Sequence, residues 1–282
     1  MSRRAGAGGE KGEARGRRAR GETALDSVSV VSAVVAVVGA GLTGLLGYWQ
    51  QRRLNARTER NYMERYGSSL ALAAYDLQSR IYNILRGHVV DHTPALGYSG
   101  YLTTFLTRGT PAEAEYARRS TVFVLAEYLG WAETLRRDIQ FLNLGGSRTN
   151  RRIMRQLGEI STLVGRISET SNELRVFRAH QRAIGELMVH PDSVPGQRWC
   201  LGYAEFCRRL DQDEVFRAWF THLLADVDRL AVDPTPALAR LEALQNALVE
   251  LVDLLDPAAV QLPHNRRRFR LATYTAGPLP GP

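Results

Sequence analysis

Lysine is all but missing from this chain of 282 residues: Lys11 is the only one, and the remaining basic residues are all arginine. A surface that tracks phosphates can use either residue, so this one-sided choice reads as a compositional bias and not as a polyanion-binding design. Cysteine is scarce too, with only Cys200 and Cys207. In a stretch that reads as helix they stand roughly 10 Å apart along the axis, beyond what a disulfide closes. A disulfide scaffold is excluded, and two inert thiols are expected. With 6 scattered histidines, no Cys/His pair has the spacing of a structural zinc site.

Signatures of chemistry are missing as well. There is no P-loop, since the one lysine lies near the N-terminus, and there is no H-E-x-x-H, no G-x-S-x-G and no EF-hand loop. Period-two alternation of apolar residues is also absent, which argues against a sheet. No catalytic residue, cofactor or metal ion is expected.

What is present is an ordinary globular composition, 44% hydrophobic and 23% charged, with a formal charge of +8. Residues 1–26 hold 7 basic and 4 acidic residues amid Gly and Ala, a composition too poor in large apolar groups to pack; a disordered basic tail is expected there. The remainder carries a net +5, 30 basic against 25 acidic residues, spread along the chain. No recognition-helix unit accompanies it, so no specific nucleic-acid partner is expected.

From Ser27 to Gln51 there is no charged residue, and Val28 to Trp49 is dominated by Val, Ala, Gly and Leu. As a helix, residues 27–49 span roughly 35 Å, enough to cross a ~30 Å hydrocarbon core. Tyr48 and Trp49 then fall at one membrane interface and Arg52 and Arg53 follow directly, the order of a membrane exit. Ser32, Ala36, Ala40 and Gly44 recur every four residues, with Gly39, Thr43 and Gly47 in the next row. Such a small-residue side lets two membrane helices approach, so a homodimer through this helix is a candidate assembly. A cleaved signal peptide with Val38-x-Ala40 as its site is the weaker reading, because the apolar run continues through Leu42, Leu45 and Leu46.

The same run contains Val34-Val-Ala-Val-Val38 followed by Gly39-Ala-Gly41-Leu-Thr-Gly44. This resembles the G-x-G-x-x-G dinucleotide fingerprint of flavin- and nicotinamide-dependent oxidoreductases. The resemblance implies a pyrophosphate held by those glycines and an enzyme as the alternative function. It also requires a second strand ending in an acid, whereas residues 52–64 read RRLNARTERNYME with no apolar run before Glu59 or Glu64.

Beyond the run, 50–256 reads as one all-α bundle domain and 257–282 as a flexible Pro/Arg-rich tail around Arg266–Arg270. Tyr62, Tyr66, Ala73, Leu77, Ile81 and Ile84 step as one helical stripe. Thr110, Pro111 and Glu113 form an N-cap, a first-turn proline and a capping-box acid before a helix with Val124, Tyr128, Trp131, Leu135, Ile139 and Leu142 inward, stopped by Gly145-Gly146. Ile153, Leu157, Ile160, Val164 and Ile167 repeat the pattern, and Thr170-Ser-Asn-Glu173 resembles a second capping box ahead of Leu174, Phe177, Ile184 and Leu187. Three further helices are expected near 198–210, 212–232 (capped by Asp211 with Glu214) and 236–256 (capped by Thr235, with Pro236 in the first turn and Leu238, Leu241, Leu244, Leu248, Leu251 and Leu255 inward).

The remaining polar candidates are weak. His88, Asp91 and His92 supply three potential metal ligands from one loop, but no fourth. His180 and His222 stand among apolar neighbours, and Asp226/Asp228 and Glu250/Asp253 read as charged helix faces. The flanking arginines, Arg52, Arg53, Arg57, Arg60 and Arg65 against Arg15, Arg17, Arg18 and Arg20 offset by Glu22 and Asp26, favour a cytoplasmic C-terminal side. The expectation is a single-pass protein of the cell membrane whose helical domain binds or scaffolds an unidentified protein partner.

Overall fold

The structure, a computed structural model, describes residues 11–86, 88–89, 98–140, 148–167, 171–194 and 197–262, with side chains of 11–35, 55–65, 86–99 and 139–140 excluded. The chain divides into two units, Met1–Arg57 and Thr58–Pro282. Helix α1 covers Lys11–Arg86. It begins inside the segment whose composition promised a solvated tail; that segment is rich in Ala, Arg and Glu, all good helix formers.

The second unit is a bundle of helices. Two-residue strands β1 (His88–Val89) and β2 (Tyr98–Ser99) pair antiparallel with His88 opposite Ser99. The short α2 (Tyr101–Thr103) passes into a single π-helical turn, Thr104–Arg108. Then follow α3 (Pro111–Gln140), α4 (Arg148–Gly165), α5 (Arg178–Met188), α6 (Tyr203–Gln212), α7 (Glu214–Val232), a 3₁₀ turn (Thr235–Ala237) and α8 (Leu238–Leu255). The expected all-α bundle is what the chain forms.

Burial follows the helical period where the side chains are described. Tyr66, Ala73, Leu77, Ile81 and Ile84 are buried along α1, joined by Leu70 and Ala74. Helix α3 is central, resting on α5, α6 and α7, while α4 lies on α8. Its buried arc is wider than the expected stripe: Tyr128 and Leu135 are buried, and so are Ala117, Val122, Leu125, Ala126 and Leu129. Phe206 of α6 meets Phe123 of α3 and Phe216 and Phe220 of α7 with ring centroids 5.1–5.7 Å apart, an edge-to-face cluster that locks these three helices together. Two glycines set the helix spacing. A Cβ at Gly185 would stand 2.7 Å from the Leu129 carbonyl, and one at Gly130 would stand 2.8 Å from Met188 Cβ and from Cys200 Sγ, so α3 and α5 pack too closely there for any larger residue.

The capping box before α3 forms as the sequence predicts. The Thr110 N–H donates to Glu113 Oε2 at 2.7 Å and the Glu113 N–H donates to Thr110 Oγ1 at 3.3 Å, and the Thr110 hydrogen bonds hold the Glu113 carboxyl below its ordinary range. Elsewhere the sequence signals are corrected. No helix starts after Thr170-Ser-Asn-Glu173: Ser171 donates to Glu173 instead, Leu174 takes φ 55°, and its N–H donates to buried Asp226 Oδ2 at 2.8 Å. The helix therefore resumes only at Arg178, leaving Ile167 74% exposed beyond the end of α4 and Phe177 47% exposed just before α5. The cap of α7 is Asp213, which accepts from Phe216 N at 2.9 Å, and not Asp211, which pairs with Arg119. Pro236 lies within a 3₁₀ turn, Thr235–Ala237, α8 starts at Leu238, and Leu238 itself is 44% exposed. Cys200 lies in a bridge with Val189 outside any helix, so only Cys207 is helical; both are free. Leu142, the Gly145-Gly146 stop and the Ile139 and Tyr62 side chains lie outside the described residues.

Polar side chains tie the layers. Asp138 of α3 accepts from Tyr66 Oη of α1 at 2.9 Å and from Arg198 Nε at 2.9 Å, and the Arg198 N–H donates back to Tyr66 Oη at 3.1 Å. Arg80 donates to Ser120 and Thr121 of α3 and lies over the Tyr101 ring. Gln245 of α8 donates to Gln78 of α1 at 3.0 Å, both buried. Removing Asp138 strands a buried hydroxyl and a mostly buried guanidinium at once. Asp138→Ala is expected to cost about 2–4 kcal/mol in urea denaturation, and a loss under about 0.5 kcal/mol would show the triad to be dispensable.

Between α1 and α3, burial and then the nearby Asp76 charge push the Glu127 carboxyl up from its ordinary 4.5 to about 7. A folded-state value above the unfolded one means that Glu127 contributes stability below 4.5 that is lost as pH rises to about 7. Glu127→Gln is therefore expected to gain on the wild type as pH rises. Urea midpoints should differ more at about pH 8 than at about pH 5; a constant difference would contradict the assignment.

Candidate functional site

The segment the sequence singles out is the part of α1 within the first unit. Every residue from Ala36 to Leu54 is exposed, including Val37 at 72%, Leu46 at 65% and Trp49 at 56%. Apolar residues surround the helix here, and an all-round apolar helix needs a nonaqueous neighbour. From Ala36 to Gly47 the one polar side chain is Thr43, whose hydroxyl donates to the Gly39 carbonyl at 2.8 Å inside the same helix. No polar side chain in that stretch is left seeking water.

Ala36, Ala40 and Gly44 share one row of this helix, and a Cβ at Gly39, Gly41, Gly44 or Gly47 would meet nothing within 4 Å. The Ser32 side chain, first in the row, lies outside the described residues. At the other end, Tyr48 and Arg52, and Trp49 and Arg53, stand four apart on shared faces and all four are exposed. Among the described residues no helix is long and apolar enough to cross a membrane; the side chains of the uncharged run are described from Ala36 on.

The dinucleotide resemblance is corrected by the backbone. Gly39–Gly44 lies in the interior of α1 with helix on both sides, so there is no strand, no tight turn and no helix N-terminus to receive a pyrophosphate.

The other candidates separate on inspection. Asp91, His92 and the His88 side chain lie outside the described residues, and among those described no group of three potential metal ligands comes together. His180 sits edge-on to Trp219 at 5.6 Å, and burial lowers His222. Asp228 is a surface partner of Arg118 at 2.8 Å, as expected of a charged face. Asp226 is not: it is 3% exposed, burial raises its carboxyl, and it pairs with Arg229 and the Leu174 N–H. Glu250 and Asp253 face Arg152 and Arg155 across a groove of about 810 Å³ between α4 and α8. A second hollow, of about 510 Å³, opens among α3, α4 and α5. Neither was legible beforehand, because each is built from helices whose faces meet only in the folded chain.

The buried carboxylates Glu133, Asp138 and Asp226 are each paired, whereas Arg240 Nε and Nη1 have no hydrogen-bond partner among the described residues. Burial alone would raise Glu133, yet hydrogen bonds and charge from Arg136 and Arg137 hold it below its ordinary range. Burial pushes the Cys200 thiol up to about 12, the opposite of an activated nucleophile. The buried Arg240 guanidinium donates to the Glu173 carbonyl in the field of Glu173 and Asp226, and burial lowers it. No known protein family, curated protein or solved structure is similar enough to this chain to be matched with it.

Proposed function

We propose that this protein is anchored in the cell membrane by a single pass over residues 27–49, with the helical body on the cytoplasmic side as a module that binds another protein. The observation that carries the reading is the all-round exposure of the apolar helix from Ala36 to Trp49. It continues an uncharged run that begins at Ser27 and ends at two arginines, and a bilayer is the neighbour that covers such a surface without a specific partner surface. Orientation is supported by the arginines on the C-terminal flank and by two cysteines that remain free thiols. An interaction role for the body is supported by the pairing of its buried carboxylates, Glu133 with Arg136 and Arg137, Asp138 with Tyr66 and Arg198, and Asp226 with Arg229, which ties them to the fold.

Alkaline carbonate extraction of cell membranes tests the anchor. The wild type is expected in the membrane pellet. Val37→Arg/Val38→Arg places two charges near the middle of the run, each costing about 2.5–3.5 kcal/mol of insertion, and is expected in the soluble fraction. A carbonate-soluble wild type would overturn the anchor.

The small-residue row makes a homodimer of anchors the proposed assembly. Ala40→Ile and Gly44→Ile place branched side chains in that row, where the helix–helix contact needs close backbones. Both are expected to reduce self-association strongly in a membrane two-hybrid assay while membrane insertion persists. An unchanged signal would exclude this face.

A further inference from the structure

We infer that the hollow among α3, α4 and α5 is a binding site for a small amphiphilic anion: a single apolar chain that ends in a carboxylate or phosphate. The volume of about 510 Å³ lies in the range of small-molecule pockets. Its lining joins an apolar floor, with Leu129 from α3 and Met154 and Leu157 from α4, to a rim of Arg136, Arg178 and Arg182. Methionine and leucine suit a flexible chain and specify little else about it. Against these three arginines the lining holds one carboxylate, Glu133, which is already paired with Arg136 and Arg137.

The charge left over is positive. Arg178 and Arg182 stand one turn apart on α5, and neither has a carboxylate partner among the described residues; Arg178 reaches only the Thr162 hydroxyl at 3.2 Å. Arg178 also opens α5, whose first turn has no side-chain cap and no acidic residue, so the positive helix end adds to the two guanidinium groups. The polar wall beside them is rigid. Ser161 Oγ donates to Gln181 Oε1 at 2.7 Å, while Gln181 Nε2 donates to the Ser161 and Val176 carbonyls, which holds the mouth in shape before any ligand arrives.

Gly158 points to the same place independently. It lines the hollow in mid-helix at an exposed position, and a Cβ there would meet nothing within 4 Å. A glycine in that setting costs about 1 kcal/mol relative to alanine, and no close neighbour demands it, unlike Gly130 and Gly185. A large side chain at this position would project into the space at the edge of the hollow. The α4/α8 groove carries no comparable inference, because Arg152 and Arg155 are balanced there by Glu250 and Asp253.

The test is photo-crosslinking of the purified full chain with a decanoate that carries a diazirine in its tail, followed by mapping of the adducts. Adducts are expected on the peptides of α3, α4 and α5 that line the hollow. Unlabelled decanoate or decyl phosphate should compete, and their relative strength identifies the preferred head group. Decyltrimethylammonium and inorganic phosphate should not compete. Gly158→Phe is expected to abolish these adducts. Gly158→Ala, which leaves most of the space, should retain them, and Arg178→Gln/Arg182→Gln should weaken competition by decyl phosphate about tenfold. Far-UV circular dichroism confirms that each variant is folded; should Gly158→Phe fail to fold, the double arginine variant decides alone. Adducts that lie elsewhere, that survive in folded Gly158→Phe, that are competed equally by the cationic amphiphile or by inorganic phosphate, or that decyl phosphate competes as strongly in the double arginine variant as in the wild type would overturn the site.

Discussion

The contact on which the body depends is the seam where residues 66–84 of α1 meet α3 and α8. Its apolar part is one stripe, Tyr66, Leu70, Ala73, Leu77, Ile81 and Ile84, each at most 3% exposed. Non-directional burial of that kind supplies most of the free energy but leaves helices free to slide or rotate. Directional contacts remove that freedom. Tyr66 meets Asp138 and Arg198 at one end of the seam, Arg80 meets Ser120 and Thr121 further along, and Gln78 meets Gln245 of α8 between them. Each joins residues far apart in the chain, so a shift of the helix would strand several buried polar atoms together.

Helix α1 also displays two ways of meeting its surroundings within one secondary structure. Over 66–84 apolar residues occupy a face, largely polar residues such as Ser68, Asp76, Arg80 and Asn83 lie off it, and the protein itself covers the face. Over 36–49 small and apolar residues occupy every face, and nothing among the described residues of the first unit covers them. Helical geometry is common to both, and the angular distribution of apolar side chains separates them. For that reason the functional reading rests on exposure in one stretch and on packing in the other.

Glycine illustrates how little a residue type says before its surroundings are known. Gly130 and Gly185 are required because α3 packs so closely on α5 and on Cys200 there that a Cβ has no room, whereas Gly158 borders open space. All three interrupt good helical patterns, and in the sequence they look alike. The capping boxes behave similarly. Thr110 and Glu113 satisfy each other at a real helix start, while the same spacing at Thr170–Glu173 lies in a loop in which Leu174 is held at φ 55° by Asp226. Local capping energy is about 1 kcal/mol, small enough for one buried carboxylate to override it.

By itself the sequence determined the helical class, the positions of most helices and the uncharged run before Arg52, because each depends on local periodicity or local composition, which short-range geometry reads directly. It also marked Leu241, Leu244, Leu248 and Leu251 as core, and they are buried. Tertiary structure alone decided which polar residues became interior ties, that Asp226 is buried and Asp228 is not, and that three arginines would share the rim of one hollow. Those outcomes depend on which helix faces meet, and their partners lie dozens of residues away, beyond the reach of any local pattern.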